Sequence, residues 1–207
     1  MESITQRLLT KGFGRPSGLF GRIGGRLMAH GNAATEQHVV ALAAPSEDDV
    51  VLVIGPGPGV GLAAAAQRSA HVIGIDPSEV MLAMARRRCA SPIARGRVRL
   101  ALGTAARTGE PDASVDVVIS VNNLQLWPDV PAALAELHRV LRPGGRIFLS
   151  AHEKWLPTDL HTLANTVLAA GFTSVRTTTW EPPTRMASTA MQLNAVRNQA
   201  GTAAPAR

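Results

Sequence analysis

The chain has 207 residues, of which 45% are apolar, with three Trp, four Phe and no Tyr. That is enough for one α/β domain with a core of Ala, Val, Leu and Ile, and it excludes disordered and collagen-like chains. The net charge is +6, carried almost wholly by arginine beside Lys11 and Lys154, and a single cysteine, Cys89, excludes an internal disulfide or a cysteine-based zinc cluster. No apolar run approaches the roughly 20 residues that span a bilayer. The opening MESITQRLLTKGFGRP has neither the basic start nor the continuous apolar stretch of a signal peptide. A cytoplasmic protein without a membrane partner is therefore expected. Basic residues do not interleave with aromatic ones, so nucleic acid is not the expected partner.

In chain order, Ile4 to Leu9 reads as a short helix, followed by the Gly-rich KGFGRPSGLFGRIGG. Gly and Pro at that density prevent a long regular element, and residues 1–34 are expected to form a helical and Gly-rich lid segment. Thr35 to Ala44 carries apolar residues at helical spacing, with Asn32 or Thr35 as its N-cap. From residue 50 strand and helix alternate. Val50 to Ile54 is an apolar, β-branched run suited to a strand buried on both faces. A helix is expected from Val60 to Ser69, a strand from His71 to Asp76, and a helix over Ser78 to Arg88 with Pro77 at its first position. Arg97 to Leu102 and Val115 to Val121 read as strands three and four. Pro131 to Leu141 reads as a helix closed by Pro143-Gly144-Gly145, leading into strand Arg146 to Ser150. Helix Leu156 to Ala170 ends at Gly171. Thr173 to Thr179 and Ser188 to Val196 are joined by a loop holding Pro182-Pro183, a spacing that suits an antiparallel hairpin. The fold class that follows is α/β, a doubly wound, mostly parallel seven-stranded sheet with a C-terminal antiparallel hairpin. The working domain is placed at 35–197 and a disordered tail at 198–207.

Ligands of open α/β sheets bind beyond the carboxyl ends of the strands, which draws attention to Gly55-Pro56-Gly57-Pro58-Gly59. A dinucleotide fingerprint G-x-G-x-x-G fails in both registers, because Val60 or Leu62 stands where the third glycine belongs. A Walker loop fails for want of Gly-Lys-Ser/Thr. What the loop does match is G-x-G-x-G.

At this point the chain resembles the class I S-adenosylmethionine-dependent methyltransferases, including small bacterial members. VLVIGPGPGVG is similar to the family's first motif and VIGIDPSEVMLAMAR to its second-strand acidic motif. LGTA resembles the adenine segment, DVVISVNNLQLWPD the fourth strand and its loop, and RVLRPGGRIFLS the fifth strand. The resemblance covers about residues 35–180 and implies a Rossmann-like fold with S-adenosyl-L-methionine as cofactor. It implies that Gly55, Pro56, Gly57 and Gly59 pack against the methionine and ribose parts, and that Asp76 accepts hydrogen bonds from both ribose hydroxyls. Pro77 and Met81 would line the adenine, Gly103, Thr104 and Ala105 its other edge, and Val121 and Asn122 would lie under the cofactor's centre. Two positions depart from the family pattern: Val53 stands where an acidic residue is usual, and Thr104 where Asp is common.

Methyl transfer from a sulfonium needs orientation and excluded water, with a general base only where the acceptor must lose a proton. Asn123, Gln125 and Trp127 are expected to meet the acceptor. His152, at the carboxyl end of strand five, is the expected base. His38 on its apolar helix reads as packing, and Cys89 as a buried small residue. No His/Asp/Glu set has metal-ligand spacing, so no metal is expected. The expected function is methyl transfer to a small-molecule acceptor in secondary metabolism, since little chain is left for a separate recognition domain. The alternatives are a cofactor-binding subunit that does not transfer, and a nucleic-acid methyltransferase.

Overall fold

The computed structural model describes residues 32–183 and 188–198. The expected helix at Ile4 to Leu9, the lid up to residue 31 and the tail from residue 199 lie outside the described residues. In chain order the elements are α1 (residues 32–43), β1 (Val50–Ile54), α2 (Val60–Ala65), β2 (His71–Asp76), α3 (Glu79–Arg88), α4 (Ala90–Ala94) and β3 (Val98–Leu102). These are followed by β4 (Val115–Val121), α5 (Val130–Val140), β5 (Leu141–His152), α6 (Leu160–Ala169), β6 (Phe172–Trp180) and β7 (Ala190–Arg197).

The seven strands form one sheet in the order β3-β2-β1-β4-β5-β7-β6. β1 to β5 pair in parallel, while β7 runs antiparallel to both β5 and β6. The expected α/β class, strand number and terminal antiparallel hairpin are all present. Alternation along β1 accounts for its continuous apolar sequence. Leu52 and Ile54 face a layer built from Leu134 and Leu137 of α5 and Leu163 and Val167 of α6. Val51 and Val53 face Val39, Val40 and Ala43 of α1, Leu62 and Ala65 of α2, and Ala85 of α3. A strand covered on both faces has no polar side to show.

Several element ends differ from the sequence expectation, each for a local reason. α1 already runs at residue 32, so the expected lid boundary at 34/35 falls inside it. α2 stops at Ala65 rather than Ser69: the buried Ser69 bonds the Asp49 carbonyl at 2.6 Å and turns the chain toward β2. Pro77 lies one place before the N-cap instead of at the first helical position, because Ser78 caps α3 by accepting from the Met81 N–H. The short α4 was not foreseen; Pro92 is tolerated in its first turn. α5 ends at Val140, and β5 takes up Leu141 through Gly145 with a register shift opposite Val115/Val117. α6 begins at Leu160, not Leu156. Pro157 holds Leu156 extended, and Asp159 caps the Thr162 N–H at 2.9 Å. His38 stacks on Trp180, ring centroids 4.1 Å apart, which fastens α1 to β6. Among the described residues no helix is long and apolar enough to cross a membrane.

Candidate active site

Strand order reverses between β1 and β4, and in open α/β sheets the carboxyl ends of the strands at such a reversal form the crevice that receives ligands. The glycine loop leaves β1 at this point and Asn122-Asn123 leaves β4. Gly55 donates its N–H to the Ile75 carbonyl at 2.8 Å and has φ +60°. A Cβ at Gly55 would lie 2.6 Å from Asn123 Nδ2, so glycine is needed for both conformation and space.

Asn123 uses its whole hydrogen-bonding capacity inside the fold. Its Nδ2 donates to the Ile54 carbonyl at 2.8 Å and the Val121 carbonyl at 3.3 Å, and its Oδ1 accepts from Ser120 Oγ at 2.9 Å and Trp127 Nε1 at 2.8 Å. The residue expected to meet an acceptor is the tie between β1 and β4. Trp127 keeps only its ring face free of that tie. Gly55→Ala should therefore destabilise the domain by about 2–3 kcal/mol, from the left-handed backbone and the displaced amide. A thermal midpoint within a degree of wild type would contradict this account.

Beyond Gly55 the loop opens. Gly57 has φ +50° and nothing within 4 Å of where a Cβ would point. Gly59 closes the turn by donating to the Pro56 carbonyl at 2.8 Å and stands at the N-cap of α2. Asp76, 5% exposed at the end of β2, accepts from the Gly57 N–H at 3.2 Å and the Ser78 N–H at 2.8 Å. Burial pushes its carboxyl above the ordinary value, against the two N–H bonds that lower it. A carboxylate offers about four acceptor positions, so Asp76 retains capacity for two more donors. That surplus, beside a glycine whose missing side chain leaves open space, fits the adjacent hydroxyls of a ribose.

Around Asp76, Met81 is buried and Pro77 exposed. Gly103 donates to the Asp76 carbonyl at 3.3 Å, and Thr104 and Arg107 exchange backbone bonds of 3.1 Å in a tight turn. The Thr104 side chain faces solvent, while Ala105 packs into the core layer with Ile54 and Ile75. Leu102, the first residue of the LGTA segment and given no role of its own by the resemblance, pairs with Asp76 across the strands and is 60% exposed. An apolar residue left bare at a strand end is the signal that marks it.

On the other side of the crevice, Val121 is half-buried and Asn122 has φ +55°. Asn122 embraces His152: its Oδ1 accepts the His152 backbone N–H at 3.1 Å and its Nδ2 lies 3.3 Å from His152 Nε2. His152 Nδ1 is 3.0 Å from the Ser188 carbonyl, which only accepts, so Nδ1 carries the proton and Nε2 the lone pair. Burial holds the imidazole below its ordinary pKa, and Lys154 acts the same way against the Ser188 bond. Asn32 Oδ1 lies 3.4 Å from the same Nε2, and with the lone pair there it borders the imidazole without accepting a hydrogen bond from it. Gln125 donates to the Asn122 carbonyl at 2.9 Å and keeps a buried Oε1 without a partner. Thus the structure gathers Asn122, Gln125 and His152 into one group, and sets Asn123 apart as scaffold.

Residues 52–149 match a family described as a methyltransferase domain. The chain is 34% identical over 126 residues to the uncharacterized methyltransferase YdaC of Bacillus subtilis, covering 60% of this chain and 67% of that protein. It is 38% identical over 105 residues to a nocamycin O-methyltransferase of Saccharothrix syringae, 48% of this chain and 36% of that one. Three further curated relatives are spanned over only 29–30% of their own lengths. Among solved structures, the phosphoethanolamine N-methyltransferase 2 of Haemonchus contortus, in complex with S-adenosyl-L-methionine, superposes with a TM-score of 0.73. That match has 17% identity and covers 96% of this chain and 61% of that one.

Proposed function

Because the chain belongs to the class I S-adenosylmethionine-dependent methyltransferase family, we propose that it transfers the donor's methyl group to a hydroxyl oxygen of a small-molecule acceptor, with His152 as the base. The single observation that carries the oxygen assignment is the tautomer of His152. Its proton is committed to the Ser188 carbonyl, and Nε2 presents a lone pair beside the end of β4. A neutral imidazole is of use only where the acceptor must give up a proton, as a hydroxyl must. The O-methyltransferase named above agrees with the choice of oxygen, and a place in secondary metabolism is part of the same proposal.

S-adenosylmethionine, when bound, supplies an electrophilic methyl group on a sulfonium. Asp76 receives its ribose hydroxyls, and the loop of Gly55, Pro56, Gly57 and Gly59, open at Gly57, receives the ribose and methionine parts. Met81, Pro77 and Leu102 border the adenine on one side, and Gly103, Thr104 and Ala105 on the other. Val121 and Asn122 underlie the centre. Asn122 keeps His152 oriented, as its two contacts to that residue require. Gln125 Oε1 accepts from a donor on the acceptor molecule, and the Trp127 ring walls the pocket. Most of the rate would come from alignment and water exclusion, with the base adding to it.

The test is release of S-adenosylhomocysteine across matched hydroxyl, amine and thiol acceptors of one skeleton. Turnover of the hydroxyl compounds is expected. Turnover confined to amines or thiols would overturn the oxygen assignment, and none over a broad panel would point to a binding subunit instead.

A further inference from the structure

The N–H groups that open α2 receive no cap from their own segment: Gly59 at the N-cap offers no side-chain bond and the first turn carries no acid. Gly61 instead donates to Glu36 Oε2 of α1 at 2.5 Å, across 25 residues of sequence. Gly61 admits this carboxylate by being glycine. A Cβ there would stand 3.1 Å from Glu36 Oε2 and 3.3 Å from Glu36 Cβ. The opposite side of the same loop is held by α3, where Arg88 Nε donates to the Pro58 carbonyl at 2.9 Å and the Cys89 thiol lies 3.8 Å from the Gly59 carbonyl. Val53, packed in the apolar layer beneath α1, gives the loop no carboxylate of its own. Four residues before Glu36, and so on the same face of α1, Asn32 lies beside His152.

We propose that Glu36 is a positioning residue for S-adenosylmethionine, holding the turn from Gly57 to Gly61 in its cofactor-receiving shape from a separate helix. The proposal rests on the reading that this loop receives the cofactor. A charge-assisted bond to a backbone N–H is stronger than a neutral one, and a carboxylate at a helix start also meets the positive end of the helix. Enclosure raises the Glu36 carboxyl to about 7, against the Gly61 N–H and Arg88. Both its protonated and ionised forms keep an oxygen for Gly61. One face of α1 thus bonds the cofactor loop through Glu36 and borders the imidazole at Asn32, so that docking of this helix brings the loop's support beside the base.

Calorimetric titration of the full chain with S-adenosylhomocysteine tests this, alongside thermal unfolding of each variant. Glu36→Ala should weaken binding about 10- to 100-fold, the range for a lost hydrogen bond to a charged group. Glu36→Gln, which keeps an acceptor for the Gly61 N–H, should recover most of the affinity. Gly61→Ala, which pushes the carboxylate away from the other side, should reproduce the loss and serves if Glu36→Ala does not fold. Val40→Ala loosens the same helix without touching the contact, and should lower the thermal midpoint while leaving affinity near wild type. Wild-type affinity in Glu36→Ala, or affinity that falls with the thermal midpoint alike in Glu36→Ala and Val40→Ala, would overturn the positioning role. No binding by the wild type would overturn the cofactor reading of the loop itself.

Discussion

Replacing Asp76 with alanine should lower the affinity for S-adenosylhomocysteine by about 100- to 10,000-fold, as read by calorimetry. Each ribose hydroxyl bonded to a carboxylate contributes about 1.5–3 kcal/mol, and two such bonds together span that range. The cost to folding should be far smaller, because two effects oppose each other. Removal leaves the Gly57 and Ser78 N–H groups without their acceptor. It also relieves the burial of a carboxylate whose ionised form the fold disfavours. The sign is that of a raised acid: the ionised group costs stability above its unfolded pKa, so at neutral pH its removal returns part of what the lost bonds take away. A folded Asp76→Ala chain that binds within threefold of wild type would remove ribose recognition from this residue.

The second large effect is on turnover. His152→Ala should lower kcat by about 100- to 10,000-fold, the usual contribution of a positioned general base, while calorimetry with S-adenosylhomocysteine stays close to wild type. The pH dependence carries an independent signature. Burial and Lys154 depress the imidazole, so the base is neutral and active at neutral pH. The acid limb of kcat/KM should fall below the ordinary histidine value near 6.5. Activity is retained above that limb and lost as pH drops through it. Asn122→Ala should move the limb by altering the Nε2 contact without removing the base. An unchanged rate in His152→Ala would retire the residue and leave alignment alone to carry the reaction.

What the sequence made legible follows from how local the physics is. The β-branched run of β1 and the Pro-Pro loop of the hairpin are short-range signals, and the elements they announced are present. The start of α6 was misplaced because apolar spacing from Leu156 outweighed two stronger signals, Pro157 and the Asp159-to-Thr162 cap. Asn122 and Asn123 show the limit more sharply. They are adjacent and identical in type, yet one faces the imidazole and the other is buried in four internal bonds. The left-handed backbone at Asn122 and the bare Cα of Gly55 decide between them. Glu36 left no mark in the local pattern, and Asn32 read only as a helix N-cap. Their contacts span 25 and 120 residues, and exist only once α1 has settled on the sheet.

The order β5-β7-β6 carries a consequence for biogenesis. β6 is synthesised first but has no strand to lie against until β7 arrives, because β7 sits between it and β5. A nascent chain halted before Ala190 would display the edge of β5 bare, its backbone donors and acceptors open to any passing strand. Synthesis of this sheet is therefore most exposed to aggregation while the residues between β5 and the end of β7 are being made, when its other strands are in place and the edge of β5 is still unsealed.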